Sequence, residues 1–332
     1  MPSVPVVTNE FSLIARYFTH RTRHTLLGVG DDAALIRPRR GQVLAISADM
    51  LVEGRHFFKG ADPEALGHKT LAVNLSDLAA MGATPRWATL ALALPKADEA
   101  WLAAFSRGFM RLARAHDVDL IGGDTTCGPL NLCVQIMGEV PAAQALKRDG
   151  ARAGDDVWVS GTLGDAALAV AARNKKISLT KQLLKKALQR LDKPTPRVVL
   201  GGALRGIARS AIDISDGLLA DLGHICERSH VAAVIEFEAL PRSSLMRSVA
   251  AARVEVRVVQ GALLAGGDDY ELCFTAPSSR RAAVLGAGAR TRTPVTRIGR
   301  ILHAPAGATA VAVVDGGGMP LAITQRGFDH FG

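Results

Sequence analysis

The sequence has 332 residues, 48% of them hydrophobic and 21% charged, a length suited to about two domains and a composition able to bury a core. Disorder as the main theme is excluded, and no run of about 18 apolar residues offers a transmembrane helix. Four cysteines without a CxxC pair argue against a disulfide framework or a zinc site. The net charge of +9 is concentrated in residues 173–197, which hold nine Lys or Arg against one Asp and leave the rest nearly neutral. Within that stretch Leu183, Leu184, Ala187, Leu188 and Leu191 recur at helical spacing. Its lysines therefore decorate a solvated helix face or attract anionic substrates. No aromatic residues interleave with the charges, so nucleic acid is not an expected partner. The N-terminal residues show no basic region followed by a long apolar run, and the expected setting is cytoplasmic, without membrane contact.

In chain order, strands are predicted at 43–48, 87–94, 132–138, 156–160 and 232–236. Helices are predicted at 64–81, 98–116, 164–173, 180–191 and 216–228. Short β-branched runs alternating with helices read as α/β or α+β. The segment 141–156, with Pro, two Gly and mixed charges, separates two apolar regions. It sets a domain boundary near residue 150, dividing 1–150 from 151–332.

The informative feature is where the aspartates fall. Asp31 and Asp32 follow two glycines in GVGDDAAL, Asp49 closes ISAD, and Asp124 follows LIGG. Asp213 and Asp216 punctuate AIDISDG, and Asp268 and Asp269 follow LAGG. Asp77 sits in an otherwise apolar helix three residues after Asn74, so the two share a face. Each acid taken alone reads equally as a turn residue or helix cap. Five such motifs in one chain favour a shared metal–phosphate site, because carboxylates beside apolar runs need a counter-ion and few basic residues lie near. Mg²⁺, which takes oxygen ligands from a few carboxylates and from substrate phosphates, is the natural partner.

Other phosphate-binding devices are weak or absent. No GxxxxGK[ST] occurs. GVGDDA is a degenerate dinucleotide fingerprint whose carboxylates would repel a pyrophosphate unless metals intervene. VWVSGTLGDAALAV at 157–170 reads as strand, glycine turn and helix, either an anion cradle or simply a tight connection. No GxSxG or HExxH is present, and the nine histidines show no ligand spacing. His56 lies near the Asp49 strand end, where it either faces the same site or packs at the surface.

In order, GVGDDAAL, ISADMLVEGRHF, KTLAVNLSDLAAMGATP, LIGGDTT, AIDISDGLLADLGHI and GGDDYELCF closely resemble the thiamine-phosphate kinase family. That family belongs to the aminoimidazole ribonucleotide synthetase-like superfamily. The resemblance spans nearly the whole chain. It implies an N-terminal α/β domain that dimerises through its sheet, a C-terminal α/β domain, and ATP between them. It implies transfer from ATP to thiamine phosphate, giving ADP and thiamine diphosphate, in a homodimer. Carried over by position, Asp32, Asp49, Asp77, Asp124 and Asp213 match ligands of a Mg²⁺ cluster, with Ser47 and the backbone of Ala48 assisting and Asp216 holding a further ion. Gly123, Asp124, Arg148 and Ser215 match positions on ATP, and His56, Asp268 and Phe328 match positions on thiamine phosphate. Two departures stand out: Asp268 occupies a position where the family usually has Glu, and His116 one where an aromatic residue often lies against the nucleotide.

The implied acceptor is a phosphate already ionised at neutral pH, so no general base is expected, in keeping with the missing Ser or His nucleophile motifs. Sibling enzymes fit less well. Selenophosphate synthetase uses a Cys or selenocysteine near its N-terminal glycine loop, whereas the first cysteine here is Cys127. The hydrogenase-maturation dehydratase ends in a reactive cysteine, whereas the last here is Cys273. Aminoimidazole ribonucleotide synthetase shares the fold but matches the motifs less closely. A non-catalytic Mg-nucleotide binding protein is the reading from a different class. Phe328 and Phe331, two of ten Phe, fall within the last five residues, as either a hydrophobic anchor or a wall for the substrate ring.

Overall fold

The computed structural model describes residues 10–251, 255–304, 310–323, 325, 327 and 328; Phe331 lies outside them. Contacts divide the chain into a first unit, Met1–Leu75 with Pro85–Glu139, and a second, Ser76–Thr84 with Val140–Gly332.

The first unit starts with α1 (Glu10–Leu13), which runs into a π-helical turn, Ile14–Phe18. β1 (Thr25–Leu27) and β2 (Leu35–Ile36) form a small antiparallel pair. There follow β3 (Val43–Val52), α2 (Pro63–Ala80, whose residues from Ser76 belong to the second unit), β4 (Thr84–Leu94), α3 (Glu99–Ala115), β5 (Asp119–Cys127) and β6 (Asn131–Val140). The four longer strands make one sheet in the order β3-β6-β4-β5, with β4 and β5 parallel. α3 shows why helices form here. Asp98 caps it by accepting from the Trp101 N–H at 3.0 Å, and Leu102, Phe105, Phe109 and Leu112 bury one stripe at helical spacing. β3 is different: of its ten residues only Leu51 is buried, and Ile46 and Met50 on the opposite face are 57% and 53% exposed.

The second unit contains β7 (Asp155–Ser160), α4 (Asp165–Arg173), α5 (Lys181–Asp192), α6 (Val198–Leu204), β8 (Ser210–Asp213) and α7 (Leu218–Ser229). β9 (Val231–Glu236), α8 (Ser244–Ala251), α9 (Val256–Ala265), β10 (Leu272–Pro277), α10 (Arg281–Arg290), β11 (Val295–His303) and β12 (Val311–Val314) complete it. The six strands are ordered β12-β9-β11-β7-β10-β8, antiparallel at every pair except β12 with β9. Trp158 and Phe274 are cross-strand partners whose rings stack at 6.4 Å, inside a core with Leu200, Leu204 and Val284.

The α/β character and the two-part organisation of helix and sheet are as the sequence indicates. The five predicted strands and five predicted helices all form, with ends shifted by a few residues. Two placements differ. Asp49 and Asp124 lie inside strands rather than at their ends, because β3 continues to Val52 and β5 to Cys127. The GVGDDA segment runs from β1 towards β2 and opens no helix, so the strand–turn–helix context of a dinucleotide fingerprint is absent.

Candidate functional site

In the first unit, β3 carries Ser47, Ala48 and Asp49. Strand alternation puts Ser47, Asp49 and the buried Leu51 on the inner face. The backbone N–H of Asp49 donates to Asn74 Oδ1 at 3.2 Å, and Asn74, fully buried on α2, donates from Nδ2 to the Thr70 carbonyl at 3.0 Å. α2 thereby fixes the height of Asp49 along its strand. Asp77 lies one helical turn further along α2, on the stretch from Ser76 that belongs to the second unit. His56 follows a tight turn after β3. Its Nδ1 accepts from the Val52 N–H at 3.0 Å, so the ring proton of the neutral form sits on Nε2. Its carbonyl accepts from Lys69 Nζ at 3.3 Å.

On β5, Gly123 and Asp124 pair with Leu90 and Ala91 of the parallel β4. Gly123 has φ +149°, and a Cβ there would overlap the Leu90 carbonyl, so glycine is required for the strand to carry Asp124 past this point. Asp124 and Asp32 are exposed, and Asp31 Oδ1 accepts from the Asp32 N–H at 3.0 Å. β3 and β5 are the two edges of the four-stranded sheet. Asp49 and Asp124 therefore sit on strands at opposite edges of it. Among the described residues no group of three or more His, Cys, Asp or Glu is already arranged to hold a metal.

In the second unit, five of the candidate residues meet at one end of the six-stranded sheet. Asp213, buried, closes β8 beside Leu272 of β10. The Ser215 carbonyl accepts from the Asp268 N–H at 2.9 Å, and the Ile214 carbonyl accepts from the Tyr270 N–H at 2.8 Å. The two loops are thus laced together. Tyr270 Oη donates to Asp268 Oδ1 at 3.3 Å. Gly217, at φ +124°, packs against the backbone of Ala265, which leaves no room for a side chain. The Phe328 N–H donates to the Asp216 carbonyl at 3.0 Å and brings a ring 48% exposed to the same loop. Arg148 is placed elsewhere: its carbonyl accepts from Ser229 Oγ at 2.7 Å, at the C-terminal end of α7, whereas Ser215 and Asp216 precede the N-terminal end.

Two carboxylates that sequence motifs left without a role hold this loop. Asp221 Oδ2 accepts from the N–H groups of Ser215, Asp216 and Gly217 at 3.1, 3.2 and 3.1 Å. Burial, and then the neighbouring Asp216 charge, push its carboxyl up to about 7. Asp269 accepts from the Gly164 N–H through both oxygens, at 3.0 and 2.9 Å, and burial lifts its carboxyl well above the usual range. That contact also corrects the anion-cradle reading of GTLGD, because the Gly164 N–H already has a carboxylate. The spacing SDGxxxD was the available signal for Asp221; nothing local marked Asp269 as structural.

Within each unit the candidate side chains offer only oxygen, which suits a hard cation: Asp32, Ser47, Asp49 and Asp124 in the first, Asp77, Asp213 and Asp216 in the second. Burial pushes the Cys226 thiol up to about 12 and raises the Cys273 thiol as well, so neither is poised for thiolate chemistry.

Residues 30–140 match the AIR synthase related protein N-terminal domain, and residues 152–311 match the corresponding C-terminal domain. Fold and site therefore define a two-domain protein of the AIR synthase-related class. Within it, the chain is 47% identical to the thiamine-monophosphate kinase of Salmonella typhimurium over 97% of this chain and 98% of that one. It is 44% identical to that of Escherichia coli K12, with the same coverage. A crystal structure of thiamine-monophosphate kinase from Stenotrophomonas maltophilia superposes with TM-score 0.80 at 49% identity, covering 87% of this chain and 91% of that one. "AaThiL complexed with AMPPCP and TMP" superposes with TM-score 0.76 at 31% identity, covering 89% of each. The chain belongs to the thiamine-monophosphate kinase family, whose members are phosphotransferases. Hydrogenase maturation protein structures at 19–22% identity share the fold.

Proposed function

We propose that this chain transfers the γ-phosphoryl group of ATP to thiamine phosphate, giving ADP and thiamine diphosphate. The observation that carries this is the convergence of Asp213, Ser215, Asp216, Asp268 and Phe328 on two laced loops, in a chain nearly half identical to kinases of that name. A phosphate oxygen of the acceptor forms the new bond to Pγ as the bond from Pγ to the β–γ bridging oxygen breaks, and that oxygen leaves with ADP. The acceptor oxygen is already ionised, so no side chain need remove a proton, and the work is positioning and charge neutralisation. Mg²⁺, when bound, neutralises the meeting polyanions and aligns their oxygens. Asp32, Ser47, the Ala48 backbone, Asp49, Asp77, Asp124, Asp213 and Asp216 are the residues proposed to hold it. Gly123, Asp124, Arg148 and Ser215 are proposed for ATP, and His56, Asp268 and Phe328 for thiamine phosphate. Asp221 keeps the Ser215–Gly217 N–H groups in one fixed array.

A homodimer belongs to the same reading. The outer face of β3 presents Ile46 and Met50 to solvent, apolar residues on an edge strand that pairing with a second copy would cover. With Asp49 and Asp124 on opposite edges of one sheet, a second copy is also what would bring acids of both edges to one ion.

The test is turnover. Purified protein with Mg-ATP and thiamine phosphate is expected to form thiamine diphosphate and ADP in equal amounts, and to stop when Mg²⁺ is chelated. Tight Mg-ATP binding with no thiamine diphosphate formed would instead identify a nucleotide-binding protein.

A further inference from the structure

A cleft of about 350 Å³ lies in the second unit among α5, the segment after it and the start of α8, and it borders one laced loop through Asp165, next to the Gly164 that bonds Asp269, and through Arg190, which bonds Glu271. Its volume falls in the range of small-molecule sites. α5 contributes Lys186 and Arg190, one helical turn apart on the same face, and Lys193 follows immediately after the helix. Opposite stand Ser243 and Ser244 at the N-terminus of α8, an end that Ser243 Oγ caps by accepting from the Met246 N–H at 3.0 Å.

The charges in this cleft are unbalanced. Among the described residues, the side chains of Lys186 and Lys193 make no ion pair or hydrogen bond, whereas Arg190 Nη2 donates to Glu271 at 2.9 Å and its Nε–H is buried without a partner. The one acid on the wall, Asp165, accepts from Ser243 Oγ at 2.6 Å, and burial raises its carboxyl. It is therefore a poor counter-ion. Lys186 and Lys193 beside one concavity repel each other, and a doubly charged oxyanion between them relieves that repulsion.

We propose that the lysine side of this cleft is a metal-independent binding site for a phosphate or diphosphate group, distinct from the carboxylates of the laced loop it borders. The distinction between the two is chemical. Carboxylate-lined loops take a phosphate only through a divalent cation, whereas the Lys186–Arg190–Lys193 cleft takes it directly.

The experiment is calorimetric titration of the full chain with inorganic pyrophosphate in EDTA at low ionic strength. Saturable binding is expected, weakened as salt screens the lysines. Lys186→Gln with Lys193→Gln should weaken it by at least about ten-fold, since hydrogen bonds to charged groups contribute about 1.5 kcal/mol or more each. Turnover with Mg-ATP and the melting temperature should stay at wild-type values, because neither lysine touches the laced loops. Orthophosphate and glycerol 3-phosphate are titrated in parallel. Equal affinity for the two assigns the site to the free ion, and tighter binding of the ester assigns it to a phosphorylated metabolite. No saturable heat with any of the three ligands, or the same affinity in the double variant, would overturn the proposal.

Discussion

Arg197 forks onto Glu271, with its Nε–H donating to Oε2 at 2.6 Å and an Nη2–H to Oε1, on a carboxylate that has no exposed surface. Arg190 and Ser160 Oγ complete the set around the same acid. Glu271 begins the chain's descent into β10 directly after Asp268 and Asp269, so this buried charge network anchors one of the two laced loops. Glu271→Gln should leave two arginines short of their counter-ion and destabilise the protein by about 3–5 kcal/mol. Urea unfolding measures it; a loss below about 1 kcal/mol would show that the arginines find water instead.

Asp49→Asn and Asp124→Asn should each remove most turnover while preserving the fold. Both side chains offer metal-type oxygen ligands, and neither is part of the buried core. Turnover at ordinary Mg²⁺ and the melting temperature are the paired readouts, and near-normal turnover in both variants would refute their role with Mg²⁺.

Gly123→Ala should destabilise the first unit by about 1–3 kcal/mol, the range for forcing atoms into a filled space. Its Cβ would collide with the Leu90 carbonyl, whereas a Cβ at Gly122 meets nothing within 4 Å. Gly122→Ala is therefore the control and should unfold close to wild type. Equal stability of the two variants would mean β5 can shift away from β4.

Asp156 supplies a pH test. Hydrogen bonds from Arg281, aided by Arg297, hold its carboxyl below the ordinary range against the opposing effect of burial. A depressed folded value means that the pairing stabilises the fold above the unfolded value of about 3.9 and is lost as pH falls through the folded one. Arg281→Gln should lower the melting temperature at pH 7, and the gap to wild type should close as pH falls below about 4. A gap that stays constant to pH 2 would assign the effect to packing.

Phe328→Ala should raise the KM for thiamine phosphate by roughly 2- to 30-fold, the worth of a cation over an aromatic face, and leave the KM for ATP almost unchanged. Phe328→Tyr should recover most of the loss and Phe328→Leu little of it. If Leu performs as well as Phe, or both KM values rise with a lower melting temperature, the ring is an anchor for the chain's end.

Much of this protein is legible in its sequence because the deciding interactions are local. Hydrophobic periodicity places α3 and β4, and the order of acidic motifs points to phosphate chemistry before any contact is known. Short elements such as β8, β12 and α6 escape because too few residues carry the pattern. The basic stretch misleads for a related reason. Lys175, Lys176 and Lys185 are exposed as an amphipathic helix would have them, yet Arg190 and Arg197 turn inward to an acid more than 70 residues away. Local spacing reports which face of a helix is apolar, but a buried charge is set by its counter-charge, and only the folded chain brings Glu271 to those arginines. The same holds for the acids of the site. Their identity is written in the motifs, whereas strand order alone sets Asp49 and Asp124 on opposite edges of one sheet and gathers Asp213, Asp216, Asp268 and Phe328 at one end of the other.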